Sequence, residues 1–288
     1  MQKLDGRGLV STDWLAAHLY DRDLRVFDVT MHLIPATPGP FLVESGRAGH
    51  EAGHVPGAAF LDLANDLSDQ HSSLKFTRPT VDALARAFAA AGVGSDTLVV
   101  TYSTTTPMWA TRVWWMLKAC GFDNAAVLDG GLAKWKAEGR PVEAGTRAYP
   151  PAEFTPTPKA GAWADKAEVL AAIDDDRLCI VNALPASIHR GDDATSWGRK
   201  GHITGSRNIP FETLLNADGT YRSDTELRAL FESVGAFGKE RAICYCGGGI
   251  SATMDALALV RLGHPSVGVY DGSMAEWARD PALPMEQD

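Results

Sequence analysis

The stretch Val269-Tyr-Asp-Gly-Ser-Met-Ala-Glu-Trp277 repeats an earlier stretch, Val127-Leu-Asp-Gly-Gly-Leu-Ala-Lys-Trp135, with five of nine residues unchanged. Two further pairs occur in the same order: Gly53-His-Val-Pro-Gly-Ala with Gly201-His-Ile-Thr-Gly-Ser, and Arg25-Val-Phe-Asp-Val with Cys179-Ile-Val-Asn-Ala. The three offsets are 142, 148 and 154 residues, so they drift slowly along the chain. This pattern indicates a duplicated domain with small loop insertions rather than a short solenoid repeat.

A proline-rich segment separates the two copies. Prolines recur between residues 140 and 163, where they favour an extended connection that does not form a helix. The length of 288 residues suits two domains. We therefore predict a first domain at residues 1–145, a linker at 146–163 and a second domain at 164–288.

Short apolar runs alternate with amphipathic segments in each half. The predicted strands are residues 26–29, 97–102 and 125–128, then 178–183, 241–246 and 265–270. The predicted helices follow Pro79, span 107–119, follow a capping box at Ser223-Asp-Thr-Glu226, and span 250–262. Alternation of this kind predicts an α/β fold, with two domains that are each a mainly parallel sheet flanked by helices on both faces.

The composition excludes several classes of protein. The 27 basic and 36 acidic residues give a net charge of −9, which disfavours a nucleic-acid partner. The sequence has no apolar run of about 20 residues and no secretory signal, which predicts no membrane partner. The four cysteines form no zinc-spaced set with histidine. We therefore predict a cytoplasmic protein with reduced thiols and no metal or organic cofactor. We also predict a monomer, because the duplication completes the site within one chain.

Cys246 opens the segment Cys246-Gly-Gly-Gly-Ile-Ser251, which lies between a predicted strand and a predicted helix. Ligands of parallel sheets collect at the carboxyl ends of strands. A glycine-rich turn that opens a helix exposes main-chain amides that bind anions and favour a thiolate. The aligned position in the first half is Ser103, in a segment without glycine. One copy therefore carries a reactive thiol and the other a supporting fold.

With these residues the chain resembles the tandem rhodanese-domain sulfurtransferases, the family of thiosulfate sulfurtransferase and 3-mercaptopyruvate sulfurtransferase. The resemblance covers nearly the whole chain, and its carriers are Gly53-His-Val-Pro-Gly-Ala, Arg112-Val-Trp-Trp115, Leu128-Asp-Gly-Gly, Gly201-His-Ile-Thr-Gly-Ser, Cys246-Gly-Gly-Gly-Ile-Ser and Tyr270-Asp-Gly-Ser. It implies an inactive first domain and small-molecule substrates. It also implies that Cys246 accepts a sulfane sulfur as a persulfide and passes it to cyanide or a thiol. The residues implied as the cradle of that sulfur are Gly247, Gly248, Gly249, Ile250 and Ser251.

The match is incomplete at positions that bear on the sulfur donor. The mercaptopyruvate type usually reads Cys-Gly-Ser-Gly-Val-Thr, whereas this loop has Gly248 in place of the serine. That type also has an aspartate and a histidine in the first domain, where the nearest positions here are Ala64 and Phe76. These differences favour thiosulfate as the donor, with 3-mercaptopyruvate as the alternative.

Two basic residues that relatives often carry are also missing. Leu184 and Ile188 stand at their places, and Arg190 follows them. Because arginine can hold an oxyanion with two parallel N–H bonds, Arg190 is our candidate for binding the substrate anion, and Arg199 is a further one.

Two other functions remain open. A rhodanese-like scaffold with little turnover would explain the missing basic residues. A cysteine-dependent phosphatase would need an arginine at the far end of the loop, where the chain has Ala252 and Thr253. A disulfide switch is less favoured, because Cys244 and Cys246 are separated by one residue and are poorly placed to bond to each other.

Overall fold

The computed structural model describes Leu4 and residues 7–35, 41–193 and 195–288. Its first half contains seven strands and five helices in the order β1 (Leu9–Val10), α1 (Thr12–His18), β2 (Leu24–Asp28), β3 (Met31–Pro35), β4 (Phe41–Ser45), α2 (Arg47–Ala52), β5 (Ala59–Phe60), α3 (Val81–Ala90), β6 (Leu98–Tyr102), α4 (Met108–Ala119), β7 (Ala125–Leu128) and α5 (Gly131–Ala137).

The second half repeats this order with local differences. Its elements are β8 (Trp163–Ala164), α6 (Lys166–Ala172), β9 (Leu178–Asn182), α7 (Ala186–Arg190), β10 (His202–Ile203), β11 (Arg207–Asn208), a 3₁₀ turn (Phe211–Leu214), α8 (Asp224–Ser233), a 3₁₀ turn (Ala236–Gly238), β12 (Arg241–Tyr245), α9 (Ala252–Arg261), β13 (Val267–Tyr270), α10 (Ser273–Trp277) and β14 (Met285–Glu286).

Each half is built on a five-stranded parallel sheet. The strand orders are β1-β7-β6-β2-β5 and β8-β13-β12-β9-β11, so the two sheets have the same topology. The prediction of two α/β domains is confirmed. The loop that carries Cys246 follows β12, the central strand of its sheet, which pairs with β13 on one side and β9 on the other. That loop therefore begins at the carboxyl edge of the sheet, where parallel folds place ligands.

Local sequence explains why several helices begin where they do. Ser223 accepts a bond from the Glu226 amide, and the Glu226 carboxylate accepts one from the Ser223 amide, as the predicted capping box requires. Thr80 and Asp165 cap α3 and α6 in the simpler way, through one side-chain oxygen each. These caps satisfy main-chain N–H groups that the first helical turn leaves without partners.

The segment between the halves lies against the first domain. Its main chain bonds α3 and the end of α4, through Ala152 to Ala89, Thr157 to Cys120, and Lys159 to Ala119. No helix among the described residues is long and apolar enough to cross a membrane.

Helices α4 and α9 form the contact between the halves. Thr111 and Thr253, which lie 142 residues apart, share a hydrogen bond of 2.7 Å between their hydroxyls. The Asp271 carboxylate accepts the Arg78 amide at 2.9 Å, and its copy Asp129 accepts the Tyr221 amide at 2.8 Å. The same contact is thus made twice, so the two domains are related by a local two-fold axis that passes close to the threonine pair.

Candidate active site

The loop from Cys246 to Ser251 connects β12 to α9 and is fixed at its start by α10. The Cys246 amide donates to the Ser273 hydroxyl at 3.1 Å, and the Cys246 carbonyl oxygen accepts the Met274 amide at 3.0 Å. The Gly247 carbonyl accepts the Ala275 amide at 2.8 Å. Cys246 itself is only 2% exposed. Its thiol is therefore held at a fixed position under the surface.

The next amides of the loop are left without protein acceptors. Within the described part of the chain, the N–H groups of residues 247–251 donate to no protein atom. The loop carbonyls are engaged instead: Gly249 accepts from Arg112 at 3.0 Å, and Ile250 accepts from the Thr253 amide at 3.0 Å. Carbonyls bonded to the protein and amides left free are what an anion-binding nest requires.

Each glycine of the loop meets a different surrounding. A Cβ at Gly247 would lie 2.1 Å from the Trp197 ring, so only glycine fits beneath that ring. Gly249 has a φ of +73°, and a Cβ there would lie 2.7 Å from the Asp271 carbonyl oxygen. A Cβ at Gly248 would meet no heavy atom within 4 Å. Two of the three glycines are therefore required by space and conformation, and the middle one is not.

Ile250 and Ser251 complete the loop at the start of α9. Both are nearly buried, and the Ser251 carbonyl accepts the Met254 amide as the helix begins. The helix of 10 residues directs the positive end of its dipole toward the loop. The positive end of the α9 dipole and the free amides of the loop therefore lie at the same edge of the sheet.

The other three cysteines lie in apolar surroundings. All four cysteines are free thiols. Burial raises the pKa of Cys120 to about 11 and also raises the pKa of Cys179. Burial, followed by the nearby Asp255, raises the pKa of Cys244 well above its usual value. These three side chains therefore stay protonated at neutral pH.

A side chain from the first domain reaches the loop. Arg112, on α4, is fully buried and donates to the Gly249 carbonyl. Its second terminal nitrogen donates to the Phe76 carbonyl at 2.9 Å and to the Asp271 carboxylate at 2.5 Å. The guanidinium also lies over the Trp163 ring, 4.7 Å from its centre. The loop is therefore held by both domains.

Comparison with protein families places this geometry in a known group. The model of the rhodanese-like domain matches the chain twice, at residues 11–138 and 166–280. The chain belongs to the rhodanese family. Curated relatives of similar length are named sulfurtransferases, so this tandem rhodanese chain is an enzyme of that class.

Two curated relatives illustrate the similarity. The 3-mercaptopyruvate sulfurtransferase of Escherichia coli is 33% identical over 281 residues, which cover 96% of this chain and 97% of the relative. The thiosulfate sulfurtransferase of Bos taurus is 34% identical over 281 residues, which cover 94% of this chain and 92% of the relative. The two names differ in sulfur donor, and the identities are nearly equal.

Solved structures show the same fold. SseA from Escherichia coli superposes with a TM-score of 0.79 at 31% identity, over 92% of this chain and 98% of SseA. Tum1 from Saccharomyces cerevisiae superposes with a TM-score of 0.84 at 20% identity, over 99% of this chain and all of Tum1. The second likeness concerns the fold alone.

The arginines predicted to bind the substrate anion are both engaged elsewhere in this rhodanese chain. Arg190 is paired with Asp192, to which its Nη2 donates at 2.7 Å, and its side chain is 47% exposed. Among the described residues it makes no hydrogen bond or ion pair with the loop. Arg199 donates to the carbonyls of Trp277, Ala278, Asp280 and Leu283. The interpretation of Arg199 as an anion-binding residue is wrong, because its guanidinium anchors the segment after α10.

The residues that replace the expected basic side chains are apolar and face the protein. Leu184 is buried, and Ile188 packs against the main core. The Phe76 ring packs at a tilt against Trp109 of the first domain, with 5.4 Å between the ring centres, and its backbone φ is +61°. The replacements therefore extend the hydrophobic core rather than leave a second charged site.

The corresponding loop of the first domain is closed. The Ser103 hydroxyl donates to the Thr106 carbonyl at 2.5 Å, and Ser103 is 4% exposed. The hydroxyl at the position of the thiol is thus used inside its own loop. This geometry agrees with a first domain that supports the fold.

One cluster in the second domain combines two histidines with an aspartate. Ligand atoms of His189, His202 and Asp288 lie within 4.8 Å of one another. However, the Asn182 side-chain oxygen accepts the Leu184 amide, so its nitrogen faces His189 Nδ1 at 2.9 Å and donates to it. A neutral His189 then carries its hydrogen on Nε2, the atom that would have to bind the metal. The cluster therefore does not suit a metal ion.

A repeated contact explains these histidines instead. The Glu286 carboxylate accepts the Gly205 amide at 2.8 Å, and in the first domain Glu143 accepts the Gly57 amide at the same distance. In both domains, the Gly-His histidine also contacts the carbonyl of a second histidine through Nδ1 at 2.7 Å. Since the domain without the thiol has the same arrangement, the role of His54 and His202 is structural.

Sequence reasoning missed three residues around the loop: Arg112, Ser273 and Trp197. Arg112 lies in a motif that supports the resemblance, but the motif alone gives it no role. The sequence did contain a signal for Arg112, because the equivalent residue of the second copy, 142 positions later, is Met254. Trp197 gave no signal, because its contact with Gly247 depends on the path of an irregular segment.

Proposed function

We propose that this protein transfers the outer sulfur of thiosulfate to a thiophilic acceptor through a persulfide on Cys246. The Cys246 thiolate attacks the outer sulfur of thiosulfate, a new S–S bond forms, and the old S–S bond breaks. Its electron pair leaves with sulfite. Cyanide or a thiolate then attacks the outer sulfur of the persulfide, and the electron pair of that S–S bond returns to Cys246. No net oxidant or reductant is needed.

The loop supplies the electrostatics of both steps. The free amides of Gly247, Gly248, Gly249, Ile250 and Ser251 have no acceptor among the residues that the structure describes, and so remain available to the reacting sulfur and its negative charge. The observation that carries the proposal is this row of free amides beside a fixed cysteine. Arg190 remains a prediction as an anion-binding residue, and it would have to leave Asp192 to act.

The choice of thiosulfate rests on the side chains around the loop. The three side chains of the mercaptopyruvate arrangement are replaced by Gly248, Ala64 and Phe76. The second candidate, 3-mercaptopyruvate, is favoured by the name of the Escherichia coli relative and by the glycine spacing of the loop. Small sulfur-containing substrates are common to both interpretations. A scaffold with little turnover is the third candidate, and the missing basic residues favour it.

The experiment compares kcat/KM for thiosulfate and 3-mercaptopyruvate, with cyanide and a small thiol as acceptors. A tenfold ratio corresponds to about 1.4 kcal/mol of transition-state preference. We expect thiosulfate to be the better donor and Cys246→Ser to abolish transfer from both donors. A preference for 3-mercaptopyruvate would overturn the donor, and activity in the serine variant would overturn the role of Cys246.

We also propose that the protein works as a monomer in the cytoplasm. Support for the monomer comes from Arg112, which one chain supplies from its own first domain to the loop of its second. Support for the compartment comes from the four free thiols. Light scattering in solution checks the first point, and a dimer mass would contradict it. Fractionation of cells checks the second.

A further inference from the structure

The position of Arg112 differs between the two copies in a way that the fold does not require. Both copies use the same helix contact, with Thr111 bonded to Thr253. The next residue is Arg112 in the first copy and Met254 in the second, and both are fully buried. Since methionine fills this place in one copy, packing alone does not explain a buried arginine in the other.

The buried arginine also carries a cost in stability. Among the described residues, its Nε–H has no hydrogen-bond partner. A buried donor without an acceptor destabilises a fold, because it has given up its hydrogen bond to water and gained none in the protein. Residues that are retained against such a cost are often found at functional sites. The two copies therefore differ in the same way at two positions. The loop with Cys246 receives an arginine, and the loop with Ser103 does not.

The contact with the loop shows what the arginine does. Arg112 Nη1 donates to the Gly249 carbonyl at 3.0 Å, and that carbonyl shares its peptide group with the Ile250 amide. A cationic donor on the oxygen of a peptide group polarises the group and strengthens the hydrogen bond that its nitrogen can donate. The Ile250 amide is one of those left free in the loop.

We propose that Arg112 is a positioning residue of the first domain that strengthens the anion-binding amides of the second-domain loop. It acts through the Gly249–Ile250 peptide group and does not touch the substrate. Asp271 holds the guanidinium in place from the other side, since its carboxylate accepts at 2.5 Å. This inference rests on the proposed role of the Cys246 loop. It gives the inactive domain a part in the chemistry: the first domain completes the electrostatic field of the second.

The test measures the rate of alkylation of Cys246 by iodoacetamide across pH, followed by peptide mass spectrometry. Arg112→Met copies the residue of the other domain and removes the charge. Asp129→Asn is the matched control, because Asp129 makes the copy of the Asp271 contact across the interface and does not touch the loop. Both variants change an ionisable residue at the interface, and only the first removes the donor to Gly249.

We expect Arg112→Met to lower the alkylation rate of Cys246 at pH 7 by roughly threefold to tenfold, with recovery at high pH. Asp129→Asn should follow the wild-type profile, and Arg112→Lys should lie between. Equal profiles for Arg112→Met and Asp129→Asn would overturn the inference and leave Arg112 a structural residue. Should Arg112→Met fail to fold, Arg112→Lys carries the test, with an unchanged profile as the contradicting result.

The same data separate this inference from the proposed function. If the wild-type protein shows no preferential alkylation of Cys246 over the other cysteines, the proposed role of the loop fails, and this inference fails with it. If wild type shows that preference and Arg112→Met retains it at every pH, only the inference about Arg112 fails.

Discussion

Thr111 and Thr253 occupy the same position in two copies of one domain, and their hydroxyls are bonded to each other at 2.7 Å. A residue that contacts its own copy lies next to the local two-fold axis. The contacts around this axis are repeated, including those of Asp129 and Asp271. The two copies differ at the thiol, the glycines and the arginine. Because the surrounding contacts are the same in both copies, these differences point to function.

The threonine pair provides a first prediction. The Thr253 hydroxyl also faces the Ile250 carbonyl at 2.7 Å and the Thr111 hydroxyl faces the Met108 carbonyl at 3.0 Å, so either hydroxyl can be the donor in the shared bond. We expect Thr111→Val and Thr253→Val each to lower the free energy of unfolding by about 1 kcal/mol. The double variant should lose less than the sum, because both single changes break the same bond. Urea unfolding of all four proteins measures this, and strictly additive losses would argue against the shared bond.

The glycines provide a second prediction. Gly249→Ala places a side chain at a φ of +73°, which costs roughly 1–2 kcal/mol in addition to the clash with Asp271. Gly247→Ala displaces the Trp197 ring. We expect kcat/KM with thiosulfate and cyanide to fall at least about tenfold in both variants, and Gly248→Ala to stay close to wild type.

A second-site change provides the control for Gly247. Removal of the ring in Trp197→Ala should make room for the alanine, so the double variant Gly247→Ala with Trp197→Ala should regain part of the lost activity. Loss of activity in Gly248→Ala equal to that in Gly249→Ala would show that space around the loop is not the reason for its glycines.

Asp255 provides a prediction about stability. This residue of α9 is fully buried, and neither carboxyl oxygen has a partner among the described residues. Burial, followed by Glu212, raises the pKa of Asp255 well above its usual value. The folded protein thus keeps a proton that the unfolded chain releases above about pH 4. The free energy of unfolding should therefore fall as pH rises from that value.

The variant Asp255→Asn removes this dependence. We expect the free energy of unfolding of this variant to exceed that of wild type by about 1–3 kcal/mol at pH 7. At pH 4 the two values should be nearly equal. Urea titrations at the two pH values measure the difference. The same difference at both pH values would mean that the carboxyl group is ionised in the folded protein.

His189 provides a prediction of opposite sign. Burial, followed by the neighbouring His202, lowers the pKa of His189 from 6.5 to about 4. In the window between these values the unfolded chain binds a proton that the folded protein does not, so stability falls as pH decreases from 6.5 toward 4. The loss should be roughly 1–2 kcal/mol after allowance for partial solvation.

The variant His189→Gln should lack this part of the pH dependence. His71, which is exposed, serves as the control, and His71→Gln should keep the wild-type slope. Thermal melting from pH 7 to pH 4 follows all three proteins. A wild-type slope in His189→Gln would place the titrating group elsewhere.

The sequence was sufficient for the parts of the fold that local rules determine. The strand predicted at residues 125–128 is observed as Ala125–Leu128, and the helix predicted at 107–119 as Met108–Ala119. Apolar runs and caps act over a few residues, so they can be recognised locally. The antiparallel hairpin of β3 and β4 was missed, because the first copy is longer there and the second copy offers no counterpart.

The candidate site was predicted where it depends on the chain order and missed where it depends on contacts between distant segments. Cys246 follows a strand that the sequence shows, whereas Arg112 meets Gly249 across 137 residues. Arg199 was predicted to bind an anion because its charge is visible in the sequence. Its four carbonyl acceptors, which come from the end of α10 and the segment after it, are not visible there.

The mass of the protein after incubation with thiosulfate tests the central claim most directly. We expect the intact protein to gain the mass of one sulfur atom, peptide fragmentation to place that sulfur on Cys246, and addition of cyanide to remove it. A sulfur found on Cys120, Cys179 or Cys244 instead, or turnover of thiosulfate by a protein that never gains the atom, would contradict the account.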